Sequence, residues 1–446
     1  MKKSFFLWIS CFVCADAFAS VKALSLQDAV RFALESSPSF DTARKTQSIR
    51  ELEYKSAVAK MLPSADFTAT NGLQNNIPIA STNSSSPVLT ANPSAPWYSS
   101  LNLGVTENLY DNGVSLTNLS IANLNRDLAS VNYLKTRDSL TLDIAAEFYR
   151  FSLASVLLDV RKQQQAILEK QFKTLSSQYQ QGFKTKSDFL RLKTQVQRAE
   201  IDRVTAEGNI TLSIAELRKL LGVNYQSNDP PSFVPSVVQR DHKIEALFPE
   251  KPPAMENVYD YRITKIQEEV NGKSVTLAER KYWPQVSFNS GVTYNNQNYL
   301  NSNTSFAAGH QLSWNALVTL QYNLCDWGTR RRDVEIAQYS RDIQGNSLNQ
   351  KLLDVNAKII GTMADISRIR RNYKLSQELL SLEEESNRNL EAQYREGKVT
   401  YLDLITSLNN LLDAKVQLYT AYFSALQTFS KYKFYEGKLY ETIIEK

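Results

Sequence analysis

The sequence predicts an α+β membrane protein. Long antiparallel coiled-coil helices wall a helical barrel and continue into a transmembrane β-barrel of four strands per protomer, and the two halves of the chain repeat one another. Three observations in the 446 residues carry this reading: two stretches of 68 residues nearly free of helix breakers, four segments in which apolar and polar residues alternate, and two motifs recurring at an offset of 215.

The chain begins with Lys2 and Lys3, an apolar run over 5–13, and then Ala17, Phe18 and Ala19, a small-x-small cleavage site. This pattern reads as a secretory signal peptide over residues 1–19. Lipid attachment at Cys14 is the competing reading, opposed by Val13 where a small residue is wanted. Loss of the signal removes Lys2, Lys3 and Asp16 and lowers the formal net charge from +5 to +4, a balance that implies no nucleic-acid partner. Cys11 and Cys14 leave with it, so Cys325 has no intrachain partner for a disulfide. Later in the chain no run approaches the roughly 18 consecutive apolar residues a membrane helix needs, so any membrane crossing is by strands.

Residues 20–61 read as helical, opened by a capping box at Ser25 and Asp28 and interrupted at Pro38. Residues 62–112 switch to a period of two, as expected of a first β-hairpin. Ala65, Phe67, Ala69 and Leu73 alternate with Asp66, Thr68, Thr70 and Gln74, and Leu101, Leu103, Val105 and Leu109 alternate with Asn102, Thr106 and Asn108. Residues 113–222 read as a long helical hairpin. Positions 114–181 hold no Gly or Pro, enough for a helix of about 100 Å, and Ile121, Leu124, Leu128 and Val131 have coiled-coil spacing. A return helix follows and ends at Gly222.

Six prolines mark 223–255 as a connector, and 256–282 is helical again. Residues 283–327 repeat the alternation, through Val286, Phe288, Val292 and Tyr294, then Leu312, Trp314, Ala316, Val318, Leu320 and Tyr322. Residues 328–437 repeat the long hairpin, with Leu352, Val355, Ile359, Met363 and Ile366 on its seam, Gly345 and Gly361 tolerated within it, and Gly437 at its end. Residues 438–446 form a tail. The loops over 75–97 and 297–309 are rich in Asn and Ser. Trp97, Trp283, Trp314 and Trp327 lie in or beside the alternating segments, as interfacial aromatic girdles do.

The repeat is explicit in two motifs. Asn108, Leu109, Asp111 and Gly113 recur as Asn323, Leu324, Asp326 and Gly328, which places a strand-to-helix bend at Gly113 and at Gly328. Tyr179, Gly182, Thr185 and Asp188 recur as Tyr394, Gly397, Thr400 and Asp403, which places a turn at Gly182 and at Gly397. Asp188 and Asp403 stand where helices begin and suit capping; copies of Asp403 around an axis would also form an acidic ring that favours cations. Four strands cannot close a barrel, so the chain requires copies of itself.

These features together resemble the TolC family of outer-membrane efflux and type I secretion channels. The likeness spans nearly the whole mature chain: Leu24 to Leu34 with Ser37 and Pro38, Leu62 with Pro63, Trp283 with Pro284, and both doubled motifs. The resemblance implies a homotrimer with a twelve-strand barrel in outer-membrane lipid and a twelve-helix periplasmic tunnel. It also implies a closable entrance that docks a periplasmic adaptor (membrane fusion) protein and, through it, an inner-membrane pump or ABC transporter. It places Gly182, Thr185, Gly397 and Thr400 at the docking tips, Asp403 at the narrowing, and Asp188 and Tyr394 in the closing network. The family pattern has a basic residue where this chain has Val399 and a second acid where it has Thr406, so the closing contacts are expected to draw on Lys398, Lys184 or Lys186.

Enzyme readings find little support. His242 and His310 have no partner spacing for zinc or a triad, and Gly272, Lys273 and Ser274 lack the upstream glycine of a phosphate loop, where Gln267 stands. No cofactor or metal is expected. The alternative function is a periplasmic coiled-coil structural or adaptor protein without a pore.

Overall fold

The computed structural model describes residues 23–73, 97–223, 231–236, 251–298 and 309–444. The signal segment, Cys14, His242 and most of both Asn- and Ser-rich loops and of the connector lie outside the described residues. The chain forms two compact units, and each unit draws on both sequence halves.

The unit holding Ala43–Tyr133 and Tyr259–Val355 contains the sheet. Strands β1 (Ser64–Leu73), β2 (Trp97–Tyr110), β3 (Gln285–Asn298) and β4 (Gly309–Gln321) form one antiparallel meander in that order. The register lines up whole rows. Phe67, Leu103, Val292 and Trp314 lie side by side, as do Ala69, Leu101, Tyr294 and Leu312. Between them run polar rows such as Thr68, Asn102, Thr293 and Ser313. Side chains alternate faces along a strand, so the sheet has one apolar and one polar face. The apolar face stays open: Trp314 is 80% exposed, and Phe67, Leu103 and Leu312 are exposed as well. The strands outrun the alternation at their polar ends, because pairing of Trp97 with Asn298 continues the ladder into a region the sequence assigns to loops.

Both strand-to-helix bends use one device. Asn112 and Gly113, and equally Trp327 and Gly328, have positive φ in succession. The Asp111 carboxylate accepts the amides of Gly113 and Ser115 at 3.0 and 2.7 Å, and Asp326 accepts those of Gly328 and Arg330 at 3.1 and 3.0 Å. Each aspartate therefore satisfies orphan donors of the helix it precedes.

The locks on the bends differ. The first is tied from a distant helix: Arg280 donates to the Gly113 carbonyl and the Thr117 hydroxyl, both at 2.6 Å, and Asn112 donates to the Arg280 carbonyl. The second is tied by its own helix, as Arg330 donates to Asp326 at 2.6 Å and to the Asn323 and Tyr282 carbonyls.

Helices α1 (Leu26–Ser36) and α2 (Pro38–Ala59) precede the sheet. Ser25 and Asp28 form the capping box that opens α1. Helices α3 (Val114–Gln180) and α4 (Lys186–Leu220) make the first hairpin. After α5 (Tyr259–Arg280), helices α6 (Thr329–Arg395) and α7 (Tyr401–Glu436) make the second, and α8 (Leu439–Ile444) ends the chain. The glycine, lysine and serine at 272–274 are interior to α5. Among the described residues no helix is long and apolar enough to cross a membrane.

In the other unit, Met1–Thr42, Leu134–Val258 and Asn356–Lys446, helix α7 is the centre of packing. Its Leu418, Tyr422 and Phe423 meet Ile366, Ile369 and Tyr373 of α6. Its Leu408 and Leu412 meet Val160 of α3, and its Ile405 joins Leu168 and Leu175 of α3 with Leu192 of α4. Helix α8 closes the end, burying Leu439 and Ile443, and Tyr440 lies 4.5 Å under the Arg137 guanidinium.

Both bend glycines lie in the left-handed region, where a Cβ costs about 1–2 kcal/mol. At Gly113 that Cβ would also stand 2.5 Å from the Arg280 guanidinium. Gly113→Ala is therefore expected to lower the thermal midpoint in detergent more than Gly328→Ala, and removing Arg280 as well should shrink the difference. Melting followed by circular dichroism checks the order.

Candidate functional site

The second doubled motif is a compound turn built twice from the same bonds. At the end of α3 the Phe183 amide donates to the Gln178 carbonyl at 2.9 Å and the Gly182 amide to Tyr179 at 3.0 Å. At the end of α6 Lys398 donates to Gln393 and Gly397 to Tyr394 at 2.9 and 3.0 Å. This is the paired closure of a helix by a left-handed glycine, with φ of 81° at Gly182 and 72° at Gly397. Three residues on, Thr185 and Thr400 are the N-caps of the return helices, and their hydroxyls accept the amides of Asp188 and Asp403 at 3.1 and 3.3 Å. Each hydroxyl in turn donates to that aspartate, at 2.8 Å in the first turn and 2.6 Å in the second. Only the second turn is a full capping box, since the Thr400 amide also reaches Asp403 at 3.0 Å. The spacing of Gly, Thr and Asp thus follows from ending one helix and starting the next within five residues.

The other candidates divide. Tyr394 lies 6.1 Å from the ring of Tyr401, whose hydroxyl donates to Gln171 of α3 at 2.8 Å. Burial, reinforced by Tyr394, pushes the Tyr401 phenol up. Lys398 pairs with its neighbour Glu396 at 2.6 Å. Thr406 turns back on its own helix and donates to the Leu402 carbonyl. Lys186 has no ion-pair partner among the described residues, and Lys184 borders a cavity of about 900 Å³ between the two turns. Asp188, Arg191, Arg198, Tyr394, Thr400 and Tyr401 also border it.

Sequence reasoning missed Tyr401, Arg191 and Arg198. Lys186 stands at the repeat position of Tyr401, so the duplication did not flag it. Cys325 is exposed beside the second bend, and among the described residues no His, Cys, Asp and Glu group is arranged to hold a metal ion.

The sequence matches the outer membrane efflux protein family over residues 29–223 and 254–430. The chain belongs to this family. Its members are channels of the TolC type, not a family of enzymes, and the protein accordingly resides in the outer membrane and extends into the periplasm. Solved structures of outer-membrane channels share its fold. The CmeC outer membrane channel of Campylobacter jejuni has a TM-score of 0.76 at 14% identity, covering 93% of this chain and 86% of its own. The outer membrane protein VceC of Vibrio cholerae has 0.73 at 16%, covering 92% and 96%. The open-state MtrE outer membrane channel of Neisseria gonorrhoeae has 0.72 at 16%, covering 93% and 89%. Identities this low carry the fold alone. No curated protein sequence matches the chain.

In this outer membrane efflux protein the turns respond to acid in a definite sense. The Thr400 hydroxyl and then its amide hold the Asp403 carboxyl below its ordinary value. A depressed carboxyl contributes stability above its unfolded pKa, near about 3.9, and loses it as pH falls through the folded value. Amide exchange at Leu402 to Leu404, corrected for intrinsic rates, is thus expected to stay slow at neutral pH and rise only below about pH 4. Asp403→Asn should raise it at neutral pH. Thr185→Ala should loosen the start of α4 by about 1 kcal/mol.

Proposed function

We propose that three copies of this chain form a channel-tunnel that serves as the exit duct of a tripartite efflux pump or type I secretion system. The observation that carries this reading is the sheet. Its apolar face is uncovered, and its outer strands β1 and β4 have no further partner among the described residues. In hydrocarbon such edges cost several kcal/mol per unpaired group. Four strands cannot close; eight make a barrel filled by its own side chains, and twelve leave a lumen. Three copies therefore suit a conduit and two do not. In the meander β1 and β4 run antiparallel, so β4 of one copy and β1 of the next meet with the same sense of pairing as within the chain.

In this reading residues 62–112 and 283–327 supply the barrel hairpins, and residues 113–222 and 328–437 supply the tunnel hairpins. The turns at Gly182 and Gly397 form the periplasmic entrance, where Thr185 and Thr400 shape the tips that meet an adaptor protein. Asp403 lines the narrowing, with Asp188, Tyr394, Lys398 and Thr406 around it. The energy comes from an inner-membrane pump or ABC transporter, which also selects the cargo.

Reconstitution in planar bilayers tests the duct. Discrete conductance steps from a detergent-extracted trimer are expected, whereas a protein released into the periplasmic extract without detergent would defeat this reading in favour of a soluble coiled-coil adaptor. Asp403→Ala should reduce cation selectivity at the single-channel level, and unchanged selectivity would remove Asp403 from the pore. Cysteines joining the Gly182 and Gly397 turns should block export when oxidised and restore it when reduced.

A further inference from the structure

The two turns of one chain flank the cavity of about 900 Å³, and its two walls differ in character. The first turn and α4 contribute Lys184, Arg191 and Arg198. The second turn and the start of α7 contribute Tyr401 and Leu402. The volume falls among small-molecule sites, which span about 300 to 1,000 Å³.

The charges of the lining do not cancel. Arg191 and Arg198 are seven residues apart, two turns along one face of α4, and so about 10 Å from each other along its axis. Neither they nor Lys184 has an ion-pair partner among the described residues. Asp188 is the carboxylate of the lining, and it already accepts the Thr185 hydroxyl at 2.8 Å. Three cations therefore face one engaged carboxylate. Guanidinium groups suit planar oxyanions, which they bind through paired N–H donors.

The duplication shows that the hairpin itself does not require these cations. Val399, Thr406 and Asp413 stand at the positions that repeat Lys184, Arg191 and Arg198, and the second hairpin forms without basic residues there. The rest of the lining supplies apolar area: Leu402 is 55% exposed and Leu190 49%. Tyr401 is fixed by its bond to Gln171 and presents its ring. Cations beside open apolar surface fit an anion carried on an apolar body better than a bare inorganic anion.

We propose that this cavity binds a small organic anion, a carboxylate or sulfonate on an aromatic or short aliphatic body. Its charge lies on Arg191 and Arg198, and its body lies against Tyr401 and Leu402. Such a ligand touches both turns, so binding favours the arrangement in which they flank the cavity over any that parts them. The site belongs to one chain and goes beyond the duct reading, because it does not depend on how many copies assemble.

The probe is 1-naphthoate, titrated by calorimetry into full-length protein in detergent with the micelle blank subtracted. It should bind once per chain, and 1-naphthylmethylamine, with a similar ring and the opposite charge, should not. Arg191→Gln with Arg198→Gln should weaken naphthoate at least tenfold, while Lys374→Gln, at an exposed position of α6 far from the turns, should leave it unchanged. Thr194→Trp, which fills the cavity and keeps every charge, should abolish binding. Equal binding of acid and amine, or a double variant or a filled cavity that binds like the parent, would overturn the site. Amide exchange reads the bridge. Naphthoate should slow it both at Phe189 to Arg191 and at Leu402 to Leu404, and slowing on α4 alone would refute contact with both turns. Native mass keeps the two readings apart: a trimer that binds no naphthoate defeats the site alone, and a monomer that binds it defeats the trimer alone.

Discussion

Backbone groups in hydrocarbon have no water to bond to, and this constraint governs the architecture. It explains why the membrane-facing part of the chain is a sheet whose rows of like character run across four strands, from Phe67 to Trp314. The meander formed by the described strands has two edges, β1 and β4, and only closure removes such edges. Helices have no such requirement, because their bonds are internal, and they can extend beyond the membrane for dozens of residues. The two 67-residue helices are the result. What they lack is cover: Ile336, Tyr339, Ile343, Leu353 and Ile360 of α6 are all exposed in the single chain.

Changing from a sheet to a helix within three residues at the first bend and seven at the second is geometrically demanding, and the chain meets the demand with one solution used twice. Two consecutive left-handed residues reverse the backbone, and an aspartate placed before them bonds the first free amides of the helix. Ending α3 and α6 and starting α4 and α7 has its own repeated solution, a glycine followed three residues later by a threonine. Both motifs are explained by local bonding, and any role in gating is added to that foundation.

Much of this was legible in the sequence because it is periodic or local. Breaker-free stretches specify long helices, alternation specifies half-buried strands, and the capping box at Ser25 and Asp28 and the turn glycines depend only on neighbours. What was not legible depends on distant residues. Nothing near Gly113 signals that Arg280 will occupy the space a side chain would need. Nothing in the Asn- and Ser-rich segment before Leu101 signals that β2 begins at Trp97, because that end is held by Asn298. The site was legible in part. Gly182, Thr185, Gly397, Thr400 and both aspartates repeat, whereas Tyr401 does not repeat, and its bond to Gln171 spans 230 positions.

The unequal locks on the two bends bear on the order in which the protein matures. The second bend needs nothing made after Arg330, whose partners Asp326 and Tyr282 lie four and 48 positions before it in the chain. The first waits for Arg280, 167 positions downstream of Gly113, just as β2 waits for β3. In a chain delivered from its N-terminus the first half therefore has a bend capped by Asp111 but not yet locked by Arg280, and a lone hairpin. Despite the duplication, the halves are not two autonomous folding modules, and a truncation after the first repeat would leave a fragment that nothing in its own sequence can complete.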